Sequence, residues 1–208
     1  MSLKTFVKIS AINNLSDARY CAGMYVNLMG FNLEENQPNY ISPEKFGEIT
    51  SWLSGLEYVG EFENSHPDSI LETLKSYPDI KYIEIQEEIH LKMLVNSSYG
   101  LILKQNIKDV DDLEDLITKS QSYSDHDVTL HLVSETLHLD DSILEKIKAL
   151  SEKCQVLLGF GLEANSIENI IEKTKIRGIS LQGGDEIKPG LKDFDELADI
   201  LEALEIDN

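Results

Sequence analysis

Cysteine is almost missing from this chain: Cys21 and Cys154 are the only two in 208 residues, far apart and without a CxxC or Cys/His spacing. Neither a disulfide framework nor a zinc site is implied, and free, buried thiols are expected. Long apolar runs are missing too. No stretch reaches the roughly 18 residues that a membrane span needs, and Met1 to Lys4 lead directly into a short strand pattern rather than into the apolar segment of a signal peptide. A cytoplasmic protein with no membrane partner is the expectation. Basic residues are scarce, with 18 Lys and Arg against 38 Asp and Glu and a formal net charge of −20. That charge repels phosphate backbones over the whole surface, and no Lys/Arg run overcomes it locally, so nucleic acid is not expected as a partner. No linker, low-complexity tract or composition shift cuts the chain, which reads as one domain over residues 1–208.

What is present is an alternation. Short β-branched or aliphatic runs are followed by stretches of helical period, and the pattern recurs about every 25 residues, as in barrels built of βα units. Eight strands are expected, at Thr5 to Ile9, Val26 to Phe31, Tyr58 to Phe62, Lys81 to Ile85, Gly100 to Leu103, Val128 to Val133, Gln155 to Leu158 and Gly178 to Leu181. Most are apolar enough for burial on both faces, as parallel strands require. Helix starts are signalled by Ser42-Pro43, by Ser65-His66-Pro67-Asp68 and by Asp140 or Asp141 before the stripe Ile143, Leu144, Ile147, Leu150. The fourth helix, within Glu87 to Val95, is expected to be short. Acidic segments at Asp109 to Asp115 and Glu196 to Glu205 read as solvated helix faces. The fold class is therefore α/β, a (β/α)8 TIM barrel near the lower size limit for one.

Five motifs carry a resemblance on this frame. Lys8-Ile9-Ser10-Ala11-Ile12-Asn13-Asn14-Leu15-Ser16-Asp17-Ala18 is similar to K-I-C-G-[IL]-T-N-x-x-D-A, the opening signature of the phosphoribosylanthranilate isomerase family. Gly30-Phe31 with Tyr40-Ile41-Ser42-Pro43-Glu44 resembles that family's G-F…R-Y-[IV]-S-P-E, and Val59-Gly60-Glu61-Phe62-Glu63-Asn64 resembles V-G-V-F-V-N. Gly161-Leu162 resembles G-G-L, while Gly183-Gly184-Asp185-Glu186 with Pro189-Gly190-Leu191-Lys192-Asp193 resembles S-S-G-V-E…P-G-x-K-D. No single motif is specific, but five in order at barrel spacing run nearly the whole length. The resemblance implies an Amadori rearrangement of an aminoaldose phosphate in tryptophan biosynthesis, without metal or organic cofactor, and a phosphorylated small-molecule ligand. It sets no oligomeric state.

Carried over residue by residue, the resemblance assigns the general base to Ser10, where the family has cysteine. A thiol titrates at about 8.5 and is readily tuned, whereas an alcohol is too weak an acid unless a neighbouring base activates it. The blander reading is a small polar residue filling the cysteine's space. The general acid, an aspartate in the family, falls on His131 in the best strand register. Histidine can donate a proton near neutral pH, or it can simply be hydrogen-bonded at the strand end. The family's glycine-rich mobile loop after strand six has no counterpart in Ser134 to Leu139, so closure over substrate is lost.

Substrate-binding positions fall on Lys8, Asn39 and Ser180, the last two replacing an arginine and an aspartate. Asparagine cannot replace arginine's charged two-donor fork. Glu84, in a segment that is Q-L-H-G in the family, adds negative charge, although Asn39 and Glu84 can both be read as solvated. Lys8 and Lys104 either support the site or pair with carboxylates. Phosphate binding falls on Gly161, Leu162, Gly183 and Gly184, in the turns after strands seven and eight, where backbone N–H groups can converge on an anion; ordinary glycine turns are the alternative. Two functions stay open: a phosphoribosylanthranilate isomerase of weak or no activity, and a non-catalytic or repurposed phosphosugar-binding barrel. Different chemistry on another phosphosugar, using Ser10 and His131, is a third.

Overall fold

The strand signals resolve into a closed ring. The computed structural model describes residues 2–183, 186–188, 191–192 and 195–206. Its parallel strands follow one another in chain order, and the eighth closes on the first: β1 (Phe6–Ser10), β2 (Leu28–Asn32), β3 (Glu57–Glu61), β4 (Ile80–Ile85), β5 (Gly100–Asn106), β6 (Val128–Val133), β7 (Val156–Leu158) and β8 (Gly178–Gln182). The helices are α1 (Leu15–Gly23), α2 (Pro43–Thr50), α3 (Pro67–Leu74), α4 (Leu91–Leu94), α5 (Val110–Asp125), α6 (Asp141–Ser151), α7 (Ile167–Thr174) and α8 (Asp195–Ala203). This is the (β/α)8 TIM barrel that the alternation implies. An antiparallel pair, β9 (Glu186–Lys188) and β10 (Leu191–Lys192), follows β8 and was not anticipated.

The helix signals act as their chemistry requires. Ser42 accepts from the Lys45 N–H with Pro43 in the first turn, and Asp140, of the two candidates, caps α6 by accepting from the Ile143 N–H at 2.9 Å. The stripe Ile143, Leu144, Ile147 and Leu150 is buried against the sheet. The fourth helix shrinks to four residues after a 3₁₀ turn at Glu88–His90. Cys21 and Cys154 form no disulfide and are buried, and burial pushes the Cys154 thiol up to about 11, so it is inert near neutral pH. No described helix is long and apolar enough to cross a membrane.

Side chains alternate across each strand. Val7 and Ile9 belong to the large apolar cluster between sheet and helices. A second cluster is separate from it and holds Leu28, Val59 and Ile102, with Phe6 and Tyr82 packed on it. These residues come one each from β1 to β5 and face the barrel axis. Two positions further along the same strands, on the same face, stand Lys8, Glu61, Glu84 and Lys104. An apolar plug thus lies beneath a charged layer at the C-terminal mouth, where barrels of this kind carry their chemistry.

Candidate functional site

Lys8 is the hub of the charged layer. Its side chain is fully buried, and Nζ lies 2.6 Å from Glu61 Oε1, 3.0 Å from Glu84 Oε2 and 2.6 Å from Ser10 Oγ. The other Glu61 oxygen accepts from the Ala11 N–H at 3.0 Å, and Glu84 Oε2 also receives His131 Nδ1 at 2.9 Å. Ser10 Oγ stands 3.5 Å from Ser180 Oγ. Two glycines make room. A Cβ on Gly30 would lie 2.0 Å from Glu61 Oε1, and one on Gly159 would lie 2.7 Å from His131 Nε2. Ala11 holds a positive φ of 54°, a left-handed backbone that costs an L-residue about 1–2 kcal/mol. The turn it makes delivers its N–H to Glu61.

Burial opposes every charge in this layer, and the pairing decides the outcome. Burial pushes the Lys8 ammonium down, but Glu61 and Glu84 outweigh it and hold it above its ordinary value. Burial raises Glu84, yet Lys8 and His131 bring it far below the usual carboxylate range. For His131 burial wins over Glu84's attraction, and the imidazole is held below its ordinary value. Near neutral pH the ring is therefore neutral. An ionised carboxylate only accepts, so the hydrogen-bond network assigns the proton to Nδ1 and leaves Nε2 a lone pair. In that state His131 can take a proton but has none at Nε2 to give.

A cavity of about 280 Å³ opens above the layer, with Ser10, Asn39, Glu61, Glu84, Lys104 and Gln182 among its walls. Of the residues expected at the site, Lys8, Ser10, His131 and Ser180 converge in the buried network, where the buried His131 side chain points inward to Glu84. Asn39 stands exposed at the cavity rim, where its Oδ1 accepts from Asn13 Nδ2 at 2.8 Å. Of the two readings of Glu84, charge beside the site and a solvated side chain, the second is excluded. Glu84 is 3% exposed, because on β4 it shares the inward face with Tyr82 and meets Lys8 across the barrel.

Gly161, Leu162 and Gly183 are not among the residues that line this cavity. Gly161 has a positive φ of 65°, and a Cβ there would come within 2.8 Å of Leu139, so the short segment after β6 folds onto the turn after β7. Leu162 is buried and Gly183 partly so. Gly184, with Asp185, lies outside the described residues. Glu61 was not singled out as a site residue. Its signal was there, a glutamate inside a motif whose counterpart is V-G-V-F, at an inward strand end. Among the described residues no group of three or more His, Cys, Asp and Glu side chains is placed to hold a metal ion.

Comparison with known proteins agrees over the whole barrel. Residues 7–203 match the sequence model of the family described as N-(5'-phosphoribosyl)anthranilate (PRA) isomerase. The N-(5'-phosphoribosyl)anthranilate isomerase of Thermotoga neapolitana is 25% identical over 199 residues, spanning 90% of this chain and 92% of that protein. The enzyme of that name from Gloeothece citriformis is 27% identical over 214 residues, spanning 95% and 93%. Among solved structures, the phosphoribosyl anthranilate isomerase of Thermotoga maritima superposes with a TM-score of 0.77 at 21% identity, covering 96% of this chain and 98% of that one. Another structure of that enzyme, in complex with reduced 1-(o-carboxyphenylamino)-1-deoxyribulose 5-phosphate, gives 0.76 at 22% identity with the same coverage. At such identities the structural likeness speaks to the fold.

Proposed function

The chain belongs to the N-(5'-phosphoribosyl)anthranilate isomerase family of tryptophan biosynthesis, and from that premise we propose that its barrel still receives a phosphorylated sugar ligand but isomerises PRA weakly or not at all. The observation that carries this is the environment of Ser10. Its Oγ accepts from the Lys8 ammonium at 2.6 Å, and the other hydrogen-bonding group at hand is the Ser180 hydroxyl at 3.5 Å. An ammonium is a donor without a lone pair, so neither neighbour can take the hydroxyl proton and make Ser10 a base. A positioned base contributes about 10² to 10⁴ in rate. His131, neutral with its proton on Nδ1, is likewise unsuited to the acid's role. The phosphate in this reading rests on backbone N–H groups at Gly161, Leu162, Gly183 and Gly184, and Lys8, Asn39 and Ser180 border the rest of the ligand.

The test is a steady-state assay with PRA beside a calorimetric titration with the reduced product analogue, followed by NMR at Gly161, Leu162 and Gly183. Binding with turnover at least about a hundredfold below that of an ordinary isomerase is expected. Turnover near the ordinary rate would overturn the reading of Ser10. Failure of the analogue to bind at millimolar concentration would overturn the phosphosugar site.

A further inference from the structure

The connection from β4 to β5 holds too little helix to cover its share of the sheet. α4 is a single turn, whereas its neighbour α5 runs for 16 residues, and a groove of about 520 Å³ is left between α4 and the last turn of α5. Leu91, Tyr123 and Val128 are buried and form its floor, with Ile89 and Val95 beside them. Ile89 is 74% exposed, the most exposed large apolar side chain among the described residues. Val128 opens β6, so the groove lies toward the N-terminal end of the barrel, and it shares no lining residue with the cavity at the mouth. An apolar hollow of this size with a few polar groups is the usual form of a small-molecule site.

The polar lining decides which charge fits. Glu88 Oε1 accepts from the Tyr123 hydroxyl at 2.8 Å, and Oε2 accepts from Lys119 Nζ at 2.9 Å. Burial raises this carboxyl, but Lys119 and Tyr123 outweigh burial and hold it below its ordinary value, so it is ionised and its charge is answered. His126 Nδ1 lies 2.8 Å from the Ser122 carbonyl oxygen and donates to it, since a carbonyl only accepts. Lys92 pairs with no carboxylate among the described residues, and the Ser122 hydroxyl makes no hydrogen bond among them. The groove therefore carries one unanswered positive charge and a free hydroxyl donor. A carboxylate gains from both. An ammonium would meet Lys92 and a carboxylate already shared by two donors. The net charge of −20 does not reverse this, because exposed charges more than about 8 Å away are largely screened at physiological ionic strength.

We propose that the groove between α4 and α5 is a ligand site separate from the mouth, for a small monocarboxylate with an aromatic or branched aliphatic body. The body lies on Leu91, Tyr123 and Val128, and the carboxylate takes the Lys92 ammonium and the Ser122 hydroxyl. The site is independent of the reading given for the mouth. Three probes of one shape and different charge test it: 3-phenylpropionate, 3-phenylpropanol and 3-phenylpropylamine, each titrated into the full-length protein while the methyl resonances of Ile89, Val95 and Val128 are followed by NMR. The acid should shift them saturably and bind about three- to fivefold more tightly than the alcohol, with the amine weakest. Lys92→Gln should remove that advantage and leave the alcohol's affinity as it was. Ile89→Ser, at an exposed position whose change leaves folding intact, should weaken acid and alcohol alike by about two- to fourfold.

Equal affinity of the three probes, or tighter binding of the amine, would overturn the inference by showing an apolar hollow without carboxylate recognition. So would Lys92→Gln weakening acid and alcohol equally, Ile89→Ser leaving both affinities unchanged, or the acid producing no saturable shift at millimolar concentration. Shifts at Gly161 and Gly183 while the groove methyls stay still would put the acid at the mouth, and the inference fails there too.

Discussion

Replacing Lys8 by methionine tests whether the charged layer holds this barrel together. The ammonium lies 2.6 Å from one carboxylate oxygen and 3.0 Å from another. At an effective dielectric of about 20 these contacts are worth roughly 6 and 5–6 kcal/mol of gross attraction, most of it offset by the cost of burying three charges. The substitution keeps the volume but strands the partners. Glu61 is partly exposed and keeps the Ala11 N–H, so it adapts at little cost. Glu84 is buried and keeps only His131. Breaking a buried pair from one side costs about 3–5 kcal/mol, a large share of the 5–15 kcal/mol typical of a domain. With a urea dependence of about 2 kcal/mol per molar, the midpoint should fall by roughly 2 M at neutral pH.

The loss should also depend on pH in a particular direction. Lys8 is one of the groups that hold His131 below its ordinary value. Without it, the imidazole protonates more readily and takes the ammonium's place against Glu84. The deficit of Lys8→Met should therefore shrink as pH falls from about 8 to 6. Adding Glu84→Gln removes the stranded carboxylate and leaves an amide oxygen to accept from His131, so the double variant should be more stable than Lys8→Met alone. Urea titrations of both variants at pH 6 and pH 8 decide the matter. A deficit under about 1 kcal/mol, or one that grows on acidification, would refute the electrostatic account.

Three further expectations follow from the same geometry. In the wild type, His131 and Glu84 both have folded pKa values below their ordinary 6.5 and 4.5, so their contributions are complete above 6.5 and are lost as pH falls, His131's first, while Lys8's, raised above 10.5, is lost only as pH rises through its folded value. Calorimetry should show a melting temperature level between pH 7 and 9 and falling from about pH 6.5 downwards. Gly159→Ala places a Cβ 2.7 Å from His131 Nε2 and 3.0 Å from the Leu132 carbonyl oxygen, and should cost about 1–3 kcal/mol by urea denaturation. Ala11→Gly relieves a left-handed backbone at φ 54°, and should raise stability by about 0.5–1 kcal/mol after the extra entropy of an unfolded glycine is counted.

The barrel was legible because its signals are local. Val128 to Val133 and Gly178 to Leu181 read as buried strands from their own side chains, and Asp140 caps the helix that begins beside it. The candidate site was legible where a motif position or a strand register picked out one residue, Ser10 by the first and His131 by the second, and both lie in the buried network. Glu84 was left open between the site and solvent because its partner, Lys8, is 76 positions away and reaches it across the barrel interior, a contact that no local pattern records. The alternation of Ile83 and Ile85 with Tyr82 and Glu84 did carry the information that Glu84 faces inward, but a charged residue in a strand is more often outward. The pair β9 and β10 escaped notice because Glu186 and Leu191-Lys192 were read as parts of a motif match and are too short for a strand pattern to show.

The geometry also shows why the departures from the family pattern cannot be reversed one at a time. Glu61 occupies the space that a Cβ on Gly30 would need, and it is held there by Lys8 and by the N–H that Ala11's left-handed turn presents. Lys8, drawn to Glu61 and Glu84, is the donor that occupies Ser10 Oγ. A sulfur at that position is larger than the oxygen it replaces and would press on an ammonium only 2.6 Å away, with both carboxylates already claiming its charge. Restoring an aspartate at His131 would set a second carboxylate against Glu84, where the imidazole now donates at 2.9 Å, and like charges at that range do not both ionise. Each substitution is thus conditioned by another. An aspartate at His131 would be kept protonated by its neighbour, whereas a thiol at Ser10 would compete with Glu61 and Glu84 for the Lys8 ammonium, so those two carboxylates, and not the residue at Ser10 alone, set the charge of the mouth.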